Sequence, residues 1–206
     1  MPDQLLAPTP PYRQIRAAHD ETTITVYQAY KPGIALDAFR RGRFSPAFSR
    51  SRMTWIKPSF LWMMYRCGWA TKEGQEHVLA IHLRRDGFEA ALAQGTLSHF
   101  DANVHADRAA WAAAAKHSPV RIQWDPERDL HLRALDYRSI QIGLSGGAVD
   151  AYCDEWITGI DDATPLAHRI HALVREGKLD EAGALLPAES PYPLPANLAA
   201  SIGATR

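Results

Sequence analysis

HVLAIHLRR, residues 77–85, sets Val78, Ala80 and His82 against Leu79, Ile81 and Leu83, the pattern of a strand buried on both faces. Such a strand needs covering layers above and below it, which excludes a chain of loosely joined helices. Residues 22–30, TTITVYQAY, are β-branched and aromatic, so they too predict a strand, stopped by Pro32. Ile34, Ala35, Ala38 and Phe39 then fall near helical spacing from about Gly33 to Arg41, and Gly42 is a natural stop before an extended return through RFSPAF. PVRIQWD (119–125) and YRSIQIGL (137–144) predict two further strands joined by the polar segment DPERDLHLRAL.

Helices are expected between these strands. Pro58 and Ser59 can open one carrying Phe60, Leu61, Met63, Met64 and Cys67, with Gly68 ending it. A short helix near Phe88–Ala93 and an Ala-rich one near Asp107–Lys116 follow. Ser145 is placed to cap a helix in which Val149, Tyr152, Cys153, Trp156 and Ile160 keep helical spacing, and Thr164-Pro165 opens the next. From there the C-terminal part reads as all helical, with IHALVREGKLDEAGALLP as a helical hairpin packed on the body. The expected class is therefore α+β, a small mixed or antiparallel sheet flanked by helices with a C-terminal helical hairpin. Residues 1–12 read as a flexible arm, 13–195 as one domain, and 196–206 as a loose tail.

Composition narrows the function classes. A chain of 206 residues that is 46% hydrophobic can bury a substantial core. Its 23 Lys and Arg balance 23 Asp and Glu, which argues against the broad positive field that wraps duplex DNA, so contact with RNA or DNA would have to be local. The apolar run Phe60–Tyr65 falls far short of the roughly 20 residues that span a bilayer, so no membrane partner is expected. MPDQLLAPTPPYRQ lacks the basic start and apolar stretch of a signal peptide, and a cytoplasmic location is expected. Cys67 and Cys153 lie far apart without CxxC spacing, as reduced core thiols would.

Three segments could carry chemistry. In TITVYQAY, Tyr27, Gln28 and Tyr30 offer an aromatic wall, an amide and a hydroxyl at a strand end; the alternative is that Tyr27 is core and Gln28 a solvated strand residue. In RMTWIKPSF, Arg52 and Lys57 flank Trp55, with Arg66 further along the helix, a combination suited to a phosphate beside a stacked base. In YRSIQIGLSGG, Arg138, Ser139 and Gln141 alternate with Ile140 and Ile142 and lead into Gly143, Ser145, Gly146 and Gly147, where backbone N–H groups could hold an anion or merely turn tightly. QWDPERD clusters Asp125, Glu127, Arg128 and Asp129, better explained as a turn stapled by ion pairs than as a metal or acid–base centre. HExxH, GxxxxGK[ST] and GxGxxG are missing from the sequence, and the histidine pair His168 and His171, three apart, reads as surface rather than as metal ligands, so no metal site is expected.

The runs ITVYQAY, RMTWIKPSFLWMMYR, WAT, IQWDPERDL and RSIQIGLSG resemble the domain-of-unknown-function family 4291 over roughly residues 13 to 195, a family whose members carry no settled activity. The order of elements, an early strand with YQAY and a late polar strand with IQIG, further resembles the ADP-ribosyltransferase fold, in which an early basic residue and a late Glu or Gln bracket NAD. That resemblance implies NAD as cofactor, catalytic roles for Gln28 and Gln141, and a binding wall from Tyr27, Tyr30, Arg52, Trp55, Lys57, Arg138 and Ser139. Gln28 in place of the usual basic residue, and an amide rather than a carboxylate at Gln141, depart from that pattern. The competing expectation is a non-catalytic RNA- or nucleotide-binding module in which the cations hold phosphate and Trp55 or Tyr27 stacks a base.

Overall fold

The computed structural model describes residues 10–205. Along the chain run β1 (Arg16–Ala17), β2 (Thr23–Tyr30), α1 (Pro32–Arg41), β3 (Thr54–Ile56), α2 (Phe60–Cys67), β4 (His77–Arg84), α3 (Arg85–Ala93), β5 (Gly95–Leu97) and α4 (Arg108–His117). They are followed by β6 (Val120–Arg128), β7 (Ala134–Leu144), α5 (Gly147–Ala151), a π-helical turn (Tyr152–Trp156), β8 (Ile157–Asp162), α6 (Thr164–Arg175), α7 (Leu179–Ala184), β9 (Ser190–Pro191) and α8 (Ala196–Ser201). The protein is α+β, but its strands form three sheets rather than the single one expected. β2-β4-β8 is antiparallel, β3-β7-β6-β5 is mixed with a parallel β5–β6 pair, and β1-β9 is a two-residue clasp.

Strand parity explains the layering, because alternate residues of a strand face opposite ways. Ile24, Val26, Leu79, Ile81 and Leu83 share one face of the first sheet and pack toward Ile56, Ile122, Ile140, Ile142 and Leu144 of the second. The opposite face, with Tyr27 and Val78, lies under Phe60, Met63, Met64 and Cys67 of α2 and Ala167 and Ile170 of α6. β4 is thus covered on both sides. α2 has the expected boundaries: the Ser59 hydroxyl accepts from the Trp62 N–H, and Gly68 closes the helix in the left-handed region at φ 60°. Cys67 and Cys153 are buried free thiols.

Several expectations fail, among them the Ser145 cap: α5 is capped at Gly146 with no side-chain hydrogen bond. RFSPAF forms no strand, and the extended return comes later, at β3. The helix expected to run through Ile160 ends in the π turn, after which Ile157–Asp162 pairs with β4, so the C-terminal part is not all helical. β-branched Ile157, Thr158 and Ile160 with Gly159 suit that strand better than a helix. Residues 196–205 are not a loose tail: α8 precedes Ile202, which is fully buried and whose carbonyl accepts from Trp124 Nε1 at 2.8 Å, while the Thr205 N–H donates to the Arg13 carbonyl at 2.8 Å. Of the expected N-terminal arm, residues 1–9 lie outside the described residues, and Tyr12 accepts a backbone hydrogen bond from Arg138 at 2.8 Å. The helical hairpin is present as α6 and α7. Among the described residues no helix is long and apolar enough to cross a membrane.

Candidate functional site

β3 is an edge strand, and its neighbour across the gap is β2 of the other sheet; the backbones meet at the Tyr27–Lys57 bridge, where the Tyr27 N–H donates to the Lys57 carbonyl at 2.7 Å. Beside this junction the sheets part, leaving a cleft of about 720 Å³. That is within the usual range for small-molecule and cofactor sites. Because Thr54 and Trp55 point to opposite sides of β3, the cleft reaches both faces of the second sheet. It meets Gln28 and Tyr30 on one side and the polar face of β6 and β7, with Gln123 and Gln141, on the other.

The cleft gathers Gln28, Tyr30, Arg52, Trp55, Lys57 and Gln141 from segments far apart in sequence. Lys31 and Arg66 also border it, so among the described residues four cations line the wall and no carboxylate does. In a chain of net charge zero this is a local concentration of positive charge. Arg52 and Arg66 are exposed and enter no ion pair among the described residues, which leaves both guanidinium groups available to an anion.

Trp55 is half-buried, and its indole lies across the backbone of Gly143, its partner in the β3–β7 register. A Cβ at position 143 would come within 2.7 Å of Met53 Sδ and 3.0 Å of Trp55 Cε2 and Cη2. Gly143→Ala is therefore expected to push the indole off the strand and to cost roughly 1–3 kcal/mol by overpacking. Chemical denaturation beside the wild type checks this, and an unchanged midpoint would show that the indole does not need the bare strand.

Gln28 is 2% exposed and fully engaged: Nε2 donates to Thr54 Oγ1 at 2.7 Å and to the Trp55 carbonyl at 3.1 Å, and Oε1 accepts from the Tyr152 hydroxyl at 2.7 Å. Its amide therefore holds the cleft wall together rather than presenting itself to a ligand. The Tyr30 hydroxyl joins this group through Thr54 at 3.2 Å, and burial pushes its pKa well up. Gln141 donates to Asp125 at 2.7 Å, and Gln123 to the other oxygen of the same carboxylate at 2.9 Å. Asp125 was not among the expected site residues.

Three expected wall residues stand elsewhere. Tyr27 is buried, edge-on to Phe60 at 5.4 Å, on the α2 side of the first sheet. Alternation along β2 means that Tyr27 cannot share a side with Gln28 and Tyr30. Arg138 has the parity of Ile140 and Ile142, not of Gln141, and lies outside the cleft wall; its Nε donates to the Tyr12 hydroxyl at 2.6 Å and its Nη1 to the Trp124 carbonyl at 3.1 Å, fastening the N-terminal segment to the sheet. Ser139 shares the Gln141 face, opposite Asp125, but is buried away from the cleft wall. The glycine-rich turn also lies apart, with the Ser145 hydroxyl donating to the Pro119 carbonyl at 2.8 Å and Gly146 at φ 54°.

The QWDPERD cluster does not act as one group, and the β6–β7 register shifts between Pro126 and Arg128. Asp129 pairs with Arg133 at 2.7 Å as a turn staple. Glu127 is buried at the start of α2, accepting from the Ser59 hydroxyl and the Arg128 N–H at 2.8 Å each, and burial raises its pKa.

Two packed sheets flanked by helices make this an α+β protein, and the cleft between the sheets is lined by cations and carries an indole on its wall. The family model described as "Domain of unknown function (DUF4291)" matches residues 14–192, and the chain belongs to that family. No curated protein matches the chain.

Proposed function

We propose that the cleft binds a phosphorylated nucleotide, with NAD as the first cofactor to test. The observation carrying this reading is the company the cations keep: Lys31, Arg52, Lys57 and Arg66 share one cleft with the indole of Trp55 and the amides of Gln123 and Gln141, with no carboxylate on the wall among the described residues. Guanidinium groups hold phosphate oxygens, an indole face stacks a base, and amides read its polar edge.

An ADP-ribosyltransferase-like reaction would proceed in this same cleft, with Gln141 near the nicotinamide ribose and Arg52 and Arg66 on the pyrophosphate. The commitment of Gln28 to Thr54, Trp55 and Tyr152 argues against a direct role for that amide in such a transfer, and Asp125, held by Gln123 and Gln141, is the nearest source of the carboxylate that Gln141 lacks. The second reading, a non-catalytic nucleotide- or RNA-binding module, is favoured by the engagement of Gln28 and Gln141 with protein partners.

A thermal-shift series with NAD, ADP, ATP, a short RNA and glucose tests the binding reading. A nucleotide at about 100 times its Kd adds roughly 2.7 kcal/mol by linkage, a rise of about 5–10 °C for a domain of this size. Glucose should leave the midpoint in place, and Arg52→Ala with Arg66→Ala should weaken nucleotide binding about tenfold or more. If NAD, ADP, ATP and RNA all leave the midpoint unmoved, the cleft is not a nucleotide site. Release of nicotinamide from NAD, lost in Gln141→Ala, would support transfer; nucleotide binding without release would support the binding module.

A further inference from the structure

Lys57 differs from the other cations of the cleft. Its side chain borders the cleft yet the residue is only 6% exposed, and Nζ donates to the Trp55 carbonyl at 2.9 Å and lies 5.5 Å from the Trp62 ring centroid. It enters no ion pair among the described residues. The groups facing it are Arg66 and Cys67 from α2 and Asp125 from β6. A buried ammonium without a carboxylate partner is poorly solvated, so the neutral amine is favoured. Burial lowers its pKa to about 7, with Arg66 reinforcing the shift and Asp125 and Cys67 opposing it. Exposed arginines already provide fixed charge for an anion, and a lysine that can shed its proton adds a nucleophilic lone pair on the wall of the same cleft.

We propose that Lys57 is a nucleophilic amine that forms an imine with a phosphorylated aldehyde or reducing sugar, whose phosphate is held by Arg52 and Arg66. The inference rests on the cleft being a phosphate-binding site, and ADP-ribose, with its reducing terminal ribose, is a member of the substrate class. Neutral Nζ attacks the carbonyl carbon, the C–N bond forms, and the carbonyl oxygen takes up a proton to give a carbinolamine. One amine proton ends on that oxygen; the other leaves with the hydroxyl as water as the C–O bond breaks and the C=N bond of the imine forms. Nothing is oxidised or reduced, and hydrolysis reverses the step.

Five lysines in the sequence, at 31, 57, 72, 116 and 178, make the test direct. The full chain is incubated near neutral pH with pyridoxal 5′-phosphate, or in a second arm with ADP-ribose, reduced with borohydride, and mapped by peptide mass. The expected result is one adduct on Lys57, at least tenfold above Lys31, Lys72, Lys116 or Lys178. Labelling should be suppressed by inorganic phosphate, be tenfold weaker with unphosphorylated pyridoxal, and be lost in Lys57→Met. Adducts spread over the other lysines with Lys57 unmodified would overturn the proposal, as would equal labelling by pyridoxal and its phosphate. If Lys57 stays unmodified while ADP still raises the melting temperature, the amine proposal fails and the nucleotide reading survives. Labelling of Lys57 that phosphate suppresses, in a protein that ADP neither stabilises nor protects, keeps the amine and removes the nucleotide reading.

Discussion

Lys57→Met is expected to be more stable than the wild type, by roughly 2–4 kcal/mol below pH 7, and the advantage should shrink as pH rises toward 10. The amine has a folded pKa of about 7 against an ordinary value of 10.5. Between those values the unfolded chain holds the proton and the folded chain does not, so the lysine makes wild-type stability rise with pH. Below the folded value both states are charged, and the full cost of burying the ammonium is present. Methionine fills a similar volume without that charge. It also orphans no acceptor, since the Trp55 carbonyl keeps its bond from Gln28 at 3.1 Å. Denaturant unfolding of both proteins from pH 6 to 10 makes the measurement. It must be read as the difference between them, because Glu189, raised to about 8 mainly by burial, makes stability fall with pH between about 4.5 and 8 in both. Parallel profiles for the two proteins would mean that Lys57 keeps an ordinary proton affinity. A lysine that costs stability where methionine would not is one whose presence calls for a function, which connects this measurement to the imine chemistry.

The interior strands were legible because their residues repeat with a period of two. HVLAIHLR and TITVYQAY could hardly be anything else, and Pro58, Ser59 and Gly68 bound α2 by local chemistry alone. β8 was hidden because Tyr152, Cys153, Trp156 and Ile160 continue the helical spacing beyond the point where the chain leaves the helix; the π turn changes the period, and pairing with β4 outweighs local pattern. α8 was hidden in a segment of prolines and small residues, whose order comes from contacts with Arg13 and Trp124 rather than from propensity.

Two site assignments could have been refined from the sequence. Tyr27 and Gln28 are adjacent in one strand, as are Arg138 and Ser139, so the two members of each pair point to opposite faces of their sheet. By contrast, the meeting of Arg52, Lys57, Arg66 and Gln141 depends on how two sheets diverge, and the fit of Trp55 over Gly143 depends on a β3–β7 register that no local pattern fixes. Asp125 was obscured by its place in an acidic run resembling a turn, although it shares the parity of Gln123 within β6.

Gln28→Ala is expected to destabilise the protein by roughly 3–5 kcal/mol, a loss characteristic of a buried polar brace and far above that of an exposed catalytic amide. The substitution removes the donor to Thr54 and the Trp55 carbonyl and leaves the fully buried Tyr152 hydroxyl without its acceptor, each lost partner of a buried polar group costing about 1–3 kcal/mol. Tyr152→Phe removes one member more gently, leaving Gln28 Oε1 unpaired at a cost of about 1–2 kcal/mol. Because the two groups satisfy each other, the double variant should cost less than the sum of the single ones, a coupling of about 1 kcal/mol or more in a double-mutant cycle. Equilibrium unfolding of the four proteins gives all these quantities. Gln28→Ala within about 0.5 kcal/mol of the wild type, with strict additivity in the cycle, would mean that the amide is not holding β2 to β3 and is free to act on a ligand after all.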